Sequence, residues 1–166
     1  SHWLIMVVRF RLSRAPRLRL DYGELRDELR TLGVASPGAR DVADAVCAIR
    51  RRKLPDPASI GNAGSFFKNP IVDRAIAERL CAGHPAMPIH PGDSPATAKL
   101  SAAWLIDRCG WKGHREGDAG VHAQHALVLV NHGHASGAQI LALAERIRES
   151  VRQRFGVELE REPVVV

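Results

Sequence analysis

The sequence predicts an α+β fold, and three observations carry that reading. The first is a long amphipathic helix near the C-terminus, and the second a continuous apolar run of strand type just before it. The third is an apolar/polar alternation near the start, so that strands and helices are interspersed without the strict βαβ alternation of a parallel sheet.

The helix is predicted over Ser136 to Phe155. Ser136 and Gln139 have the spacing of a capping box, Ile140, Leu141, Ala144, Ile147 and Val151 form one apolar stripe, and Gly156 supplies the stop. The apolar run Ala126-Leu127-Val128-Leu129-Val130 reads as a buried strand. Val8-Arg9-Phe10-Arg11-Leu12, continuing from Trp3-Leu4-Ile5-Met6-Val7, reads as a half-buried strand. A chain seldom opens in mid-strand without a start signal, so the natural chain is expected to extend upstream. Leu25, Leu29 and Leu32 recur at helical spacing until Gly33. Ser36-Pro37 is placed to cap a second helix, with Val42, Ala45, Val46 and Ile49 as its stripe and Arg50-Arg51-Arg52-Lys53 at its end. The prolines of Leu54-Pro55-Asp56-Pro57 then mark a boundary. Further helices are expected over about Val72–Cys81 and Ala102–Cys109. Short strands are expected at Ser65-Phe66-Phe67, entered by a turn at Gly61 to Gly64, and at Val157-Glu158-Leu159-Glu160.

Charge is unevenly spread. The chain of 166 residues has a net charge of +6, and the excess lies wholly in residues 1–54, which hold 12 Lys+Arg against 6 Asp+Glu. Such a bias speaks to anionic partners rather than to fold. Three tryptophans, Trp3, Trp104 and Trp111, are too scattered for a base-stacking platform, which argues against nucleic acid. The opening apolar run lacks a basic region and a cleavage site and is broken by Arg9 and Arg11, so neither a signal peptide nor a membrane span is expected. Cys47, Cys81 and Cys109 form neither a disulfide framework nor a Cys-x-x-Cys site, which favours a reducing compartment, the cytoplasm. His122, His125, His132 and His134 lack an accompanying His-Glu-x-x-His or Cys-x-x-Cys pattern, so they are read as loop residues and no metal is expected.

Five collinear blocks carry a resemblance that spans nearly the whole chain. They are Leu20-Asp21-Tyr22-Gly23-Glu24-Leu25, Lys53 to Pro57 with Gly61-Asn62-Ala63-Gly64-Ser65-Phe66-Phe67-Lys68-Asn69-Pro70, Lys99 to Asp107, Val121 to Asn131, and Phe155 to Glu162. In these blocks the sequence resembles the UDP-N-acetylenolpyruvoylglucosamine reductases, flavoenzymes of peptidoglycan precursor synthesis. The resemblance implies that FAD, reduced by NADPH, delivers hydride to UDP-N-acetylglucosamine enolpyruvate, giving UDP-N-acetylmuramate. It implies a C-terminal remnant of the FAD-binding domain over residues 1–54 and a UDP-sugar-binding domain over 55–155. Residues 156–166 would be a terminal strand returning to the flavin half. Ser65 matches the family's proton donor and Glu162 its acidic residue near the terminus, with Glu160 the other carboxylate on the same strand face. Lys53, Asn69 and Lys112 match positions that contact the nucleotide sugar. His125 stands where relatives carry an amide and could bond a phosphate.

Without the resemblance these residues read differently. Ser65 would be a turn serine, Asn62 and Asn69 would bond their own backbone, and Glu160 and Glu162 would be the wet face of an edge strand. The ending Glu162-Pro163-Val164-Val165-Val166 also departs from the family pattern. The Gly-rich FAD motif is not in this sequence, so the chain by itself is expected neither to retain FAD nor to oxidise NADPH. The competing reading is a UDP-sugar-binding module without catalysis, or an inactive remnant.

Overall fold

A computed structural model describes residues 5–165. The chain divides into two compact units, Ser1–Arg52 and Lys53–Val166.

In the first unit, α1 (Leu25–Thr31) and α2 (Ala39–Lys53) bury Leu25, Leu29 and Ala45, with Leu20, Val34, Val42 and Ile49 packed around them. Arg52 holds the two helices together through Glu28 at 2.8 Å. The predicted Ser36-Pro37 cap does not form. α2 begins at Ala39, and Asp41 reaches back so that its Oδ2 accepts the Gly38 N–H at 2.7 Å. The expected opening strand is also absent: residues 5–12 have no ladder partner among the described residues. Phe10 is 78% and Leu12 84% exposed. An alternating pattern becomes a strand only where a neighbour accepts its backbone bonds. Trp3 and Leu4 lie outside the described residues.

The second unit holds two antiparallel sheets. One has the order β1-β7-β6-β5, from β1 (Gly61–Ser65), β5 (Arg115–Glu116), β6 (Ala119–Val121) and β7 (Val128–Asn131). The other has the order β2-β4-β3, from β2 (Ile71–Asp73), β3 (Ile89–Pro91) and β4 (Thr97–Leu100). Helix α3 (Arg74–Gly83) lies against β2 and β4, and α4 (Ala102–Arg108) against α5 (Gly137–Phe155). α5 has the predicted limits because its end signals are local. Ser136 and Gln139 make both bonds of the capping box, and Gly156, at φ 66°, closes it. Its residues Leu143, Ala144, Ile147 and Val151 are fully buried with Leu105, Ile106, Leu100 and Phe67. Each such aliphatic side chain contributes about 1.5–3 kcal/mol.

Two boundaries moved and one strand did not form, each because of backbone bonds that local pattern does not reveal. α3 starts at Arg74 rather than Val72 because residues 71–73 pair with β4. β7 starts at Val128 rather than Ala126 because the Val128 N–H donates to the His125 carbonyl at 3.0 Å, which makes 125–128 a turn. The expected strand at Val157–Glu160 is extended but unladdered. Val157 and Leu159 are buried as the alternation requires, and the backbone joins residues 66–68 through a single bridge, Phe67 to Arg161.

Candidate functional site

The segment from Gly61 to Asn69 is built around a β-bulge. Asn62 pairs with Val130 and Ser65 with Val128, so Ala63 and Gly64 together stand opposite Leu129. Asn62 holds this distortion from both sides: its Oδ1 accepts the Gly64 N–H at 3.1 Å and its amide donates to the Ile60 carbonyl at 3.0 Å. Gly64 adopts φ 74°, a conformation open to glycine and costly to other residues. A cleft of about 280 Å³ runs beside the bulge, with Asn62, Ala63, Phe66 and Ile140 in its lining. The extra residue sets which way the strand presents Ser65, which is half-buried. Its hydroxyl has no hydrogen-bond partner among the described residues.

Immediately beyond Ser65, the Phe66 N–H donates to the Leu127 carbonyl at 2.8 Å, and the Phe66 carbonyl accepts the Glu162 N–H at 3.0 Å. The terminal segment is thereby fixed next to the serine. The Lys68 N–H donates to the Glu160 carbonyl at 2.9 Å, and the Lys68 ammonium pairs with the Glu160 carboxylate. Glu162, by contrast, is exposed and has no ion pair among the described residues. Of the two carboxylates, Glu160 is committed and Glu162 is open.

On the other side of β7 lies a group of cationic and imidazole side chains. The Val128 that pairs with Ser65 also accepts the His122 N–H at 2.9 Å and donates to His125. His125 is half-buried, and its Nδ1 is enclosed without a hydrogen-bond partner. Burial first, then the charges of His122, Lys53 and Lys112, hold its pKa below the ordinary histidine value. Lys112 is exposed and lies 3.7 Å from Asp107. Two lysines named from the sequence, Lys53 and Lys112, thus both act on His125.

Asn69 has a structural task that sequence reasoning did not assign. Its Oδ1 accepts the Ala102 N–H at 2.9 Å, at the first residue of α4, while Ser101 caps the same helix by accepting the Trp104 N–H at 3.3 Å. The Asn69 amide NH₂ remains for other use. Two further contributors, Asn62 and His122, were not singled out as site residues. Asn62-x-Gly64 is a legible turn signal, whereas nothing local marks His122. Among the described residues no group of three or more His, Cys, Asp or Glu side chains could hold a metal ion. No helix among them is long and apolar enough to cross a membrane.

Comparison with known proteins identifies the family. Residues 56–166 match the family model described as UDP-N-acetylenolpyruvoylglucosamine reductase, C-terminal domain. The UDP-N-acetylenolpyruvoylglucosamine reductase of Pseudomonas aeruginosa is 63% identical over 163 residues, which are 98% of this chain and 48% of that protein. The reductase of Xylella fastidiosa is 57% identical over 162 residues, 98% of this chain and 46% of that one. A solved UDP-N-acetylenolpyruvylglucosamine reductase from Thermus caldophilus aligns with 74% of this chain and 33% of its own at 30% identity and a TM-score of 0.43. The chain spans about half the length of the curated relatives it matches. By the family match and these identities, the chain belongs to the UDP-N-acetylenolpyruvoylglucosamine reductase family, its residues 56–166 corresponding to the C-terminal domain.

Proposed function

We propose that this chain is the UDP-sugar-binding half of a UDP-N-acetylmuramate dehydrogenase, which reduces UDP-N-acetylglucosamine enolpyruvate in cytoplasmic peptidoglycan synthesis, the pathway that sets cell shape and supports division. The observation that carries the reading is the uncommitted Ser65 hydroxyl, on a glycine-dependent bulge whose next residue, Phe66, bonds the backbone of Glu162. In this reading residues 1–54 end the flavin-binding part, 55–155 bind the UDP-sugar and 156–166 return toward the flavin half.

FAD, reduced by NADPH, supplies the hydride when bound. Its own binding residues we assign outside this chain, because the polar groups assembled here suit a substrate that gains negative charge and needs a proton. Hydride addition to the terminal carbon of the enolpyruvyl group leaves an electron pair on the carbon that bears the carboxylate. Ser65 donates its hydroxyl proton to that carbon, completing the saturated lactyl ether. A carbanion beside a carboxylate is basic enough to take a proton even from a weak acid such as serine. Glu162 supplies a second polar contact to that intermediate. Lys53 and Lys112 offer charge to the diphosphate, the Asn69 amide a donor, and His125 a hydrogen bond to an oxyanion.

The test is turnover by the full-length protein. NADPH consumption should depend on the enolpyruvyl sugar and yield a product two hydrogens heavier. NADPH consumption indifferent to that sugar overturns the reading.

A further inference from the structure

The terminal segment from Val157 to Glu162 carries its charges on one side. Val157 and Leu159 are buried, so Glu158, Glu160 and Glu162 stand together on the opposite, exposed face. Arg161 falls at the alternate position, in phase with Val157 and Leu159. Two of the three carboxylates are answered by cations from other elements. Glu158 lies 3.3 Å from Arg148 of α5, which also holds Glu145 at 2.9 Å. Glu160 is paired with the Lys68 ammonium, and the Lys68 N–H donates to the Glu160 carbonyl at 2.9 Å, which makes the two side chains cross-strand neighbours. Glu162 has no ion pair among the described residues.

We propose that Lys68 is a positioning residue that acts through Glu160: by neutralising that carboxylate it lets an anionic substrate approach a face on which Glu162 alone is left charged. The inference rests on the reading of this chain as the UDP-sugar-binding half, and gives a task to a lysine that the reading leaves without one.

The physical case is one of charge rather than stability. Lys68 and Glu160 are both exposed, and an exposed ion pair contributes little to the folded state. Two residues along an extended segment span about 7 Å, so a bare Glu160 would set a second negative charge that far from Glu162. The enolpyruvyl sugar brings a diphosphate and a carboxylate, and hydride addition gives it one more negative charge. A single carboxylate beside that intermediate can serve it, whereas a second uncompensated one repels substrate and intermediate alike.

Steady-state kinetics of the full-length protein with NADPH and the enolpyruvyl sugar, at low and at high salt, test the masking. Lys68→Met should raise KM for the sugar about three- to tenfold at low salt, the range for one bare charge about 7–10 Å from an anion at a protein surface. The rise should shrink at high salt, and Tm should not change. Lys68→Arg, which keeps the charge, should match the unsubstituted protein. Glu160→Gln should leave KM unchanged, and adding it to Lys68→Met should bring KM back to within about twofold, because no charge is then left to mask. A double variant as impaired as Lys68→Met, the result of a direct contact between Lys68 and the sugar, overturns the proposal. So does Glu160→Gln as impaired as Lys68→Met, the result of a clasp that merely holds the segment, and so does an unchanged KM in Lys68→Met. Each of these leaves the UDP-sugar reading standing. NADPH consumption by the unsubstituted protein that is indifferent to the enolpyruvyl sugar overturns the two together.

Discussion

Replacing Gly64 by alanine separates the backbone requirement of the bulge from every side-chain effect. A Cβ at Gly64 would meet nothing within 4 Å, so there is no clash to relieve and no cavity to fill. What changes is the cost of holding φ at 74°, about 1–2 kcal/mol for a residue with a Cβ. For a folding unit the size of Lys53–Val166 that corresponds to a fall in Tm of about 4–8 °C, followed by circular dichroism on the full-length protein. Asparagine tolerates the left-handed region better, so Gly64→Asn should lose roughly half as much. The chain can also escape the strain by surrendering the bulge, and a one-residue slip moves Ser65 to the other face of the strand. Turnover should therefore fall more steeply than stability. Gly64→Ala with an unchanged Tm, or with full turnover, would refute the argument that this glycine sets the serine's position.

Asn69→Ala should cost about 1 kcal/mol by leaving the Ala102 N–H without its acceptor, and it should also weaken UDP-sugar binding. Asn69→Asp keeps the oxygen, so it should retain stability in thermal unfolding and lose only affinity. Gly92→Ala places a Cβ 2.4 Å from the Thr97 hydroxyl and 2.8 Å from the Thr97 carbonyl carbon, an overpacking worth about 1–3 kcal/mol in urea unfolding. Thr97→Ala should not rescue it, because the backbone contacts remain. The pKa of Glu116 is lowered chiefly by Arg146 and then His114, and that of Asp118 by the His134 N–H and then Arg115. Carboxylates depressed in the folded state contribute stability that is complete above their ordinary values of 4.5 and 3.8 and is lost as pH falls through the lower folded values. The double variant Glu116→Gln, Asp118→Asn should be less stable at pH 7 and lose less between pH 5 and 3 than the unsubstituted protein.

What could be read in advance follows the range of the interactions. α5 was legible to its ends because Ser136, Gln139 and Gly156 act within one turn of the backbone they satisfy. The core strand was legible as an apolar run, since Val128, Leu129 and Val130 are all buried, but its start was not, because Ala126 and Leu127 are buried within a turn. β2, β3 and β4 have three or four residues each and exist through pairing with one another, which no local period reveals. The β5–β6 hairpin had a signal that went unread, Gly117-Asp118 as a two-residue turn with Gly117 at φ 58°. The opening alternation had the period of a strand and lacked a partner. At the site, Ser65, Lys53, Asn69, Lys112, His125 and Glu162 came from resemblance alone. Their spacing has no periodic meaning, and although Asn62 and Gly64 mark a turn, the partner strand against which the bulge forms, Val128 to Asn131, is distant in sequence. Glu160 and Glu162 share one strand face by spacing, and only the Lys68 ion pair distinguishes them.

The proton-donor role of Ser65 is tested most directly by Ser65→Ala in the full-length protein, with the two half-reactions followed separately under anaerobic stopped flow. Flavin reduction by NADPH should proceed at the unsubstituted rate and flavin reoxidation by the enolpyruvyl sugar should slow by at least about a hundredfold, the lower range for loss of a positioned acid. Equal slowing of both half-reactions, or reoxidation at the unsubstituted rate, would contradict it.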